Sequence, residues 1–176
     1  MKKYLYLIIA LVVASKVDVM AESLIKNDEY DHFVKCCEKY NVDEKLALSI
    51  LIVENPKGDN SIVKENSDGT YDYGYFQINT VNVDCALKGT GCENVTDPKN
   101  NIECGIYLIS LSKLKLIKIW LDTSVFNIAM QYHLPSDLIE FYVNNNSNTK
   151  GYRYAVKVTD TYNYLKVLER ENKNGK

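Results

Sequence analysis

Glu54 ends an almost unbroken apolar run, Leu46-Ala47-Leu48-Ser49-Ile50-Leu51-Ile52-Val53. A carboxyl group backed by such residues has its charged form disfavoured, so its pKa rises and it holds a proton near neutral pH. The negative end of a helix dipole pushes the same way. Such a group suits general acid catalysis on a glycosidic oxygen. Taken alone, Glu54 reads as the first exposed residue after a buried helix. A second polar set then follows in one short segment: Asp72, Gly74, Gln77 and Asn79. Gly74 leaves room for a ligand to approach the backbone. Gln77 and Asn79 can orient sugar hydroxyls or acetamido groups, and Tyr71, Tyr73 and Tyr75 offer flat surfaces to sugar rings. Asp72 either steadies developing positive charge or caps the hairpin.

Positioning these groups needs a buried helix facing a β-ribbon. Asp43 is a fair N-cap for the run Glu44 to Glu54, and Pro56 and Gly58 end it. Asn66-Ser67-Asp68-Gly69 is a turn signal, and Thr70 to Phe76 alternates in the manner of a short strand. Period 2 sets Tyr71, Tyr73 and Tyr75 on one face, with Asp72, Gly74 and Phe76 on the other. Around this core the pattern predicts a first helix over Asp28 to Tyr40. Asp97-Pro98 opens a long helix running toward Leu116. Further helices follow over Asp122 to Gln131 and Tyr152 to Leu168. Asn144 to Thr149 is an exposed loop, and Glu169 to Lys176 a charged tail. The fold class is α+β, predominantly α-helical, with a small β-hairpin.

The chain has 176 residues, 46% apolar and 25% charged, which suits one globular domain. Its formal charge of −2 argues against a nucleic-acid partner. Lys2 and Lys3 precede the apolar run Tyr4 to Ala14, and Val19-Met20-Ala21 offers a small-residue cut site. Residues 1–21 therefore read as a secretory signal peptide, with Ala14 as a second cut site. Residues 22–176 form the mature domain, exported to the periplasm or secreted. In an oxidising compartment Cys85 and Cys92 bracket a short loop and make the expected local bridge. Cys104 is then expected to meet Cys36 or Cys37, and the odd count leaves one thiol over. No C-x-x-C pair occurs, and His32 and His133 lack an evident ligand spacing, so neither a metal nor a cofactor is expected. His133 reads as structural. G-x-S-x-G, H-E-x-x-H and a phosphate-binding Gly loop are absent from the sequence.

Glu54-Asn55-Pro56 followed by Gly74-Tyr75-Phe76-Gln77-Ile78-Asn79 resembles the catalytic Glu and G-(L/I)-(M/F)-Q-I-N hairpin of lysozyme-like muramidases. Asp97-Pro98 with Asn101-Ile102 and Gly105, Ala129-Met130-Gln131-Tyr132-His133, and Tyr154 to Val158 extend the likeness. Together they are similar to the soluble lytic transglycosylase domain, in the small secreted branch associated with type III and type IV secretion and conjugation. The resemblance spans about residues 30–165 and implies a lysozyme-like fold acting on peptidoglycan glycan strands as a monomer. It implies Glu54, Tyr132 and Asp72 as catalytic residues, with Tyr132 holding Glu54 in position. Gly74, Tyr75, Phe76, Gln77 and Asn79 would bind the sugars. The expected reaction cleaves the MurNAc–GlcNAc β-1,4 bond and leaves a 1,6-anhydro end, opening the wall locally for a secretion or conjugation apparatus. One departure stands out: Asn55 replaces the family's usual Ser, removing a supporting hydroxyl. The Tyr132-His133 pair, where Tyr-Asn is usual, also occurs in this branch. The segment Asp68 to Gly74 also resembles the animal c-type lysozyme hairpin, which keeps open a hydrolytic muramidase using Glu54 and Asp72. A non-catalytic peptidoglycan-binding module and a Cys-dependent amidase or peptidase are the other classes.

Overall fold

Residues 16–174 are described by a computed structural model of the chain. The elements run α1 (Lys16–Leu24), α2 (Asn27–Tyr40), α3 (Glu44–Glu54), β1 (Val63–Glu65), β2 (Tyr71–Tyr73) and β3 (Ile78–Asn79). They continue with α4 (Thr80–Thr90), α5 (Pro98–Lys118), α6 (Val125–His133), α7 (Pro135–Asn144) and α8 (Lys150–Asn174). The result is mostly helical with one small antiparallel sheet, as expected of the fold class.

Asp43 caps α3 as its position demands, accepting from the Lys45 and Leu46 amides at 2.8 and 3.1 Å. The helix is apolar on nearly every side because it is buried on nearly every side, from Leu46 to Leu51. It packs against α8, which also carries α6, while α5 holds α2, α4 and α6. Phe33, Ile50, Leu51, Phe76, Ile102, Ile106, Met130 and Leu138 are among the largest fully buried side chains. Asp97 accepts from the Asn100 amide at 3.0 Å and starts α5, with Pro98 in its first turn. A Cβ on Gly105 would overlap the Phe76 ring, so the glycine lets α5 close onto the ribbon.

The sheet has the order β1-β2-β3. Val63, Lys64 and Glu65 pair with Tyr73, Asp72 and Tyr71, and Asp72 and Tyr73 pair in turn with Asn79 and Ile78. Gly69, with φ 80°, closes the first turn. The strand expected to run on to Phe76 stops at Tyr73. Gly74 and Gln77 adopt φ of 69° and 45°, folding residues 74–77 into a turn that period 2 does not describe.

Three helices lie outside the sequence expectations, α1, α4 and α7, the first overlapping the expected signal peptide. In α4, Val81 and Val83 weaken the helical signal, yet Asn79 caps it at the Val81 amide (3.0 Å) and Gly91 ends it in the left-handed region. The helix α7 begins at Pro135, in a stretch for which the sequence predicts no element. The segment expected as the Cys85–Cys92 loop is thus mostly helix. Cys85 is exposed on α4, whereas Cys92 lies against Cys104, with Cys36 close by. All five cysteines are free thiols here, so the Cys85–Cys92 and Cys104–Cys36 or Cys37 pairings are not realised in this structure. The run Tyr4 to Ala14 of the expected signal lies outside the described residues. A cut after Ala21 would divide α1, whose Ala21 is fully buried. No helix of the described residues is long and apolar enough to cross a membrane.

Candidate active site

Glu54 occupies the last turn of α3 with its side chain only 15% exposed. Desolvation is the largest influence on it and raises its carboxyl from the ordinary 4.5 to about 7. The Tyr154 hydroxyl opposes this, Asp72 adds to it and Lys64 subtracts. Tyr154 comes from α8, and its buried hydroxyl has no conventional hydrogen-bond partner among the described residues. It faces the Glu54 carboxyl, so burial first and Glu54 second push its own pKa well above the ordinary value. His133, at the end of α6, stacks on the Tyr154 ring at 4.2 Å and 8°. Its Nδ1 stands 4.0 Å from Glu54 Oε1. Burial holds the imidazole below its ordinary pKa. Near neutral pH the site therefore presents a carboxyl able to keep its proton beside a neutral imidazole.

Asp72 reaches the same site from β2. Its Oδ1 accepts from Asn79 Nδ2 at 2.8 Å across the β2–β3 pair, and Lys64 sits opposite it on β1. Asp72 is therefore held by the ribbon and also acts electrostatically on Glu54. Tyr132 lies between them in effect: both acids push its phenol upward after burial does. Its hydroxyl, however, donates to the Phe76 carbonyl at 3.0 Å rather than to Glu54. Tyr132 thus ties α6 to the ribbon, and the expected hydrogen bond from it to Glu54 is not made.

No protein-family model, curated protein or solved structure matches the chain. Roles must therefore be read from the geometry itself.

Several expected sugar-binding residues are committed elsewhere. The space beside Gly74 is filled by the side chains of Asn60 and Asn101, which a Cβ would strike. Tyr75 turns away from the ribbon face, and its buried hydroxyl donates to Glu29 Oε2 at 2.6 Å. Phe76 is fully buried in the core. Asn79 gives its amide to Thr70 Oγ1 and Asp72 and its oxygen to the α4 cap. Gln77 Nε2 donates to the Gly74 carbonyl at 2.8 Å, and the side chain stays half exposed. The positive φ of Gly74 and Gln77 is the cause: it turns Tyr75 and Phe76 inward. A cavity of about 360 Å³ lies on this inner side, lined by Glu29, Asn60, Tyr73 and Tyr75 among others, and Glu54 is not part of it.

Asn55 answers the departure from Ser. It is buried, and its Nδ2 donates to the Asp59 carbonyl at 2.8 Å and the Gly74 carbonyl at 3.3 Å. The amide thus locks the end of α3 to the ribbon from a position where a hydroxyl was expected. Asn101 does the same from α5, accepting from the Phe76 amide and donating to the Tyr73 carbonyl. His133, Tyr154 and Lys64 are the site residues the sequence reading missed. A stack between α6 and α8 and a cross-strand register have no local signature.

His32, for which no ligand spacing is expected, acquires partners in the fold. Cys36, one turn along α2, brings Sγ to 3.4 Å from Nε2, and Glu103 Oε2 lies at 3.7 Å. The three ligand atoms fall within 4.8 Å of one another. Glu103 is already answered there by Lys39 Nζ at 2.7 Å and the Tyr40 hydroxyl at 2.9 Å.

Proposed function

We propose that the protein is a peptidoglycan lytic transglycosylase with a lysozyme-like fold. It would cleave the β-1,4 bond between N-acetylmuramic acid and N-acetylglucosamine and leave a 1,6-anhydro end. The observation that carries this reading is the carboxyl of Glu54, raised to about 7 by burial at a helix end that faces the ribbon. Glu54 gives its proton to the bridging oxygen as the glycosidic bond breaks. The resulting carboxylate then takes the proton of the muramic 6-hydroxyl as that oxygen closes onto the anomeric carbon. No water is consumed, and the proton returns to Glu54 for the next cycle.

Tyr154 and His133 hold the carboxyl on one side, and Tyr132 sets the ribbon against it through the Phe76 carbonyl. The half-exposed Gln77 is the ribbon side chain best available to a sugar. Export to the periplasm and local wall opening for a secretion or conjugation apparatus belong to the same reading, resting on the N-terminal pattern and the family resemblance.

A hydrolytic muramidase is the second reading, favoured by Asp72. Its carboxylate acts on Glu54 from the ribbon, as the second acid of a retaining hydrolase must. Mass spectrometry of muropeptides released from sacculi separates the two. Anhydro ends without added water are expected, reducing ends would transfer the assignment to a hydrolase, and sacculus binding without release would leave only a wall-binding module.

A further inference from the structure

The helix α5 ends at Ile119 in a six-residue stop. The Leu121 amide donates to the Leu116 carbonyl at 3.1 Å and the Trp120 amide to the Ile117 carbonyl at 3.2 Å. This pattern places the residue after the cap in the left-handed region, which is why glycine usually fills it. Here the residue is Trp120, with φ 61°. A bulky side chain at positive φ is strained, and strain of this kind concentrates where function requires it. The backbone around it is anchored, since Leu116 is fully buried and Leu121 packs on the core. The indole itself gains nothing from the fold: it is 96% exposed.

Its surroundings share that exposure. Leu114 and Ile117, one turn apart on α5, and Ile119 are each more than half exposed. Lys115 and Lys118 form the adjoining stripe and are also exposed. No Asp or Glu occurs between Glu103 and Asp122. Asp122 is exposed, but its carboxylate is engaged with the start of α6, accepting from the Ser124 amide and the Asn127 side chain. A chain of formal charge −2 thus carries a basic, apolar tip crowned by its one tryptophan.

We propose that this tip docks the protein on an anionic lipid surface. Trp120, Ile117 and Ile119 would enter the headgroup boundary while Lys115 and Lys118 meet lipid phosphates. Trp120 stands almost wholly clear of the fold, so it suits a soft interface that closes around it. Indole prefers the polar–apolar boundary, lysine stems lie along apolar surface with their ammonium groups outward, and the charge is complementary to the lipid. The proposal does not depend on the chemistry assigned to Glu54.

Trp120 is the only tryptophan in the chain, so its fluorescence reports this residue directly. The full chain is titrated with vesicles of equal parts phosphatidylglycerol and phosphatidylcholine, and separately with phosphatidylcholine alone. Expected are a blue shift and quenching by brominated acyl chains with the anionic vesicles only. Lys115→Glu combined with Lys118→Glu should weaken the titration about thirtyfold or more. Trp120→Gly should leave the thermal midpoint equal or higher, because glycine suits the left-handed position. Unmoved emission, an equal response to neutral vesicles, or a double variant titrating like the parent each overturns the proposal. A midpoint that falls in Trp120→Gly makes the indole a structural group and overturns it too. So does emission that moves only with an envelope-protein extract, which would assign the tip to a protein partner.

Discussion

The side chains of Glu54 and Glu103 are similarly covered, 15% and 14% exposed, but Glu54 lies much deeper in the protein; desolvation pushes both carboxyls upward. They end on opposite sides of the ordinary value. Glu103 is lowered because Lys39 and the Tyr40 hydroxyl both donate to its Oε1 and His32 adds positive potential. Glu54 meets a phenol, a neutral imidazole, the more remote Lys64 and a second acid, so desolvation prevails and the carboxyl rises to about 7. Depth and the lack of a paired cation act together to make the proton donor, and the chain combines them at the helix end that faces the ribbon.

The strongest way to break this contrast is to remove each acid in turn. Glu54→Gln should lower muropeptide release by about a hundredfold to ten-thousandfold with the far-UV circular dichroism unchanged. Glu103→Gln should leave the rate per folded molecule as it is. Comparable losses in both variants would mean that the difference in environment has no catalytic meaning.

Stability should separate them next, with opposite slopes in pH. An acid whose folded pKa is raised contributes stability that is complete below its ordinary pKa and lost as pH climbs to the folded value. For Glu54 that window runs from 4.5 to about 7, and its width corresponds to about 3 kcal/mol as an upper limit. Glu54→Gln should therefore be more stable than the parent above neutral pH, by up to that amount, in chemical denaturation. Glu103 is lowered, so its contribution is present above the ordinary carboxylate value and fades as pH falls through the folded one. Glu103→Gln should be destabilised at neutral pH by about 1 kcal/mol, since Lys39 is largely exposed and its pairing is screened.

The same contrast explains which parts of the molecule were legible beforehand. The apolar run before Glu54 announced a buried helix and a desolvated end, and Asp43, Asp97 and the Asn66 to Gly69 turn marked boundaries the structure keeps. Those signals are local. The inward turn of Tyr75 and Phe76 was not legible, because it depends on positive φ at Gly74 and Gln77 and on Asn101 waiting in α5 to receive the Phe76 amide. The His133–Tyr154 stack joins α6 to α8 and exists only once both have packed. The valines of α4 mask its helical signal, so the sequence places Cys85 in a loop. The His32–Cys36 approach was available as a one-turn spacing on α2, whereas Glu103 had to be brought by α5.

The smallest effects should refine the Glu54 side of the contrast. If Glu54 acts as the general acid, kcat/KM falls as pH rises through about 7. Tyr154→Phe deletes the one hydroxyl that lowers this carboxyl, so the falling limb should move to higher pH. Asp72→Asn removes a like charge and should move it to lower pH. Burial lowers His133 below its ordinary pKa, so a limb due to the imidazole would fall on the acid side of the Glu54 limb. A limb that shifts in these opposite directions, read from initial rates on purified sacculi, would mean that the ribbon acid and the α8 phenol tune the same proton. A limb unmoved by both would place the titrating group elsewhere, even if Glu54→Gln were inactive.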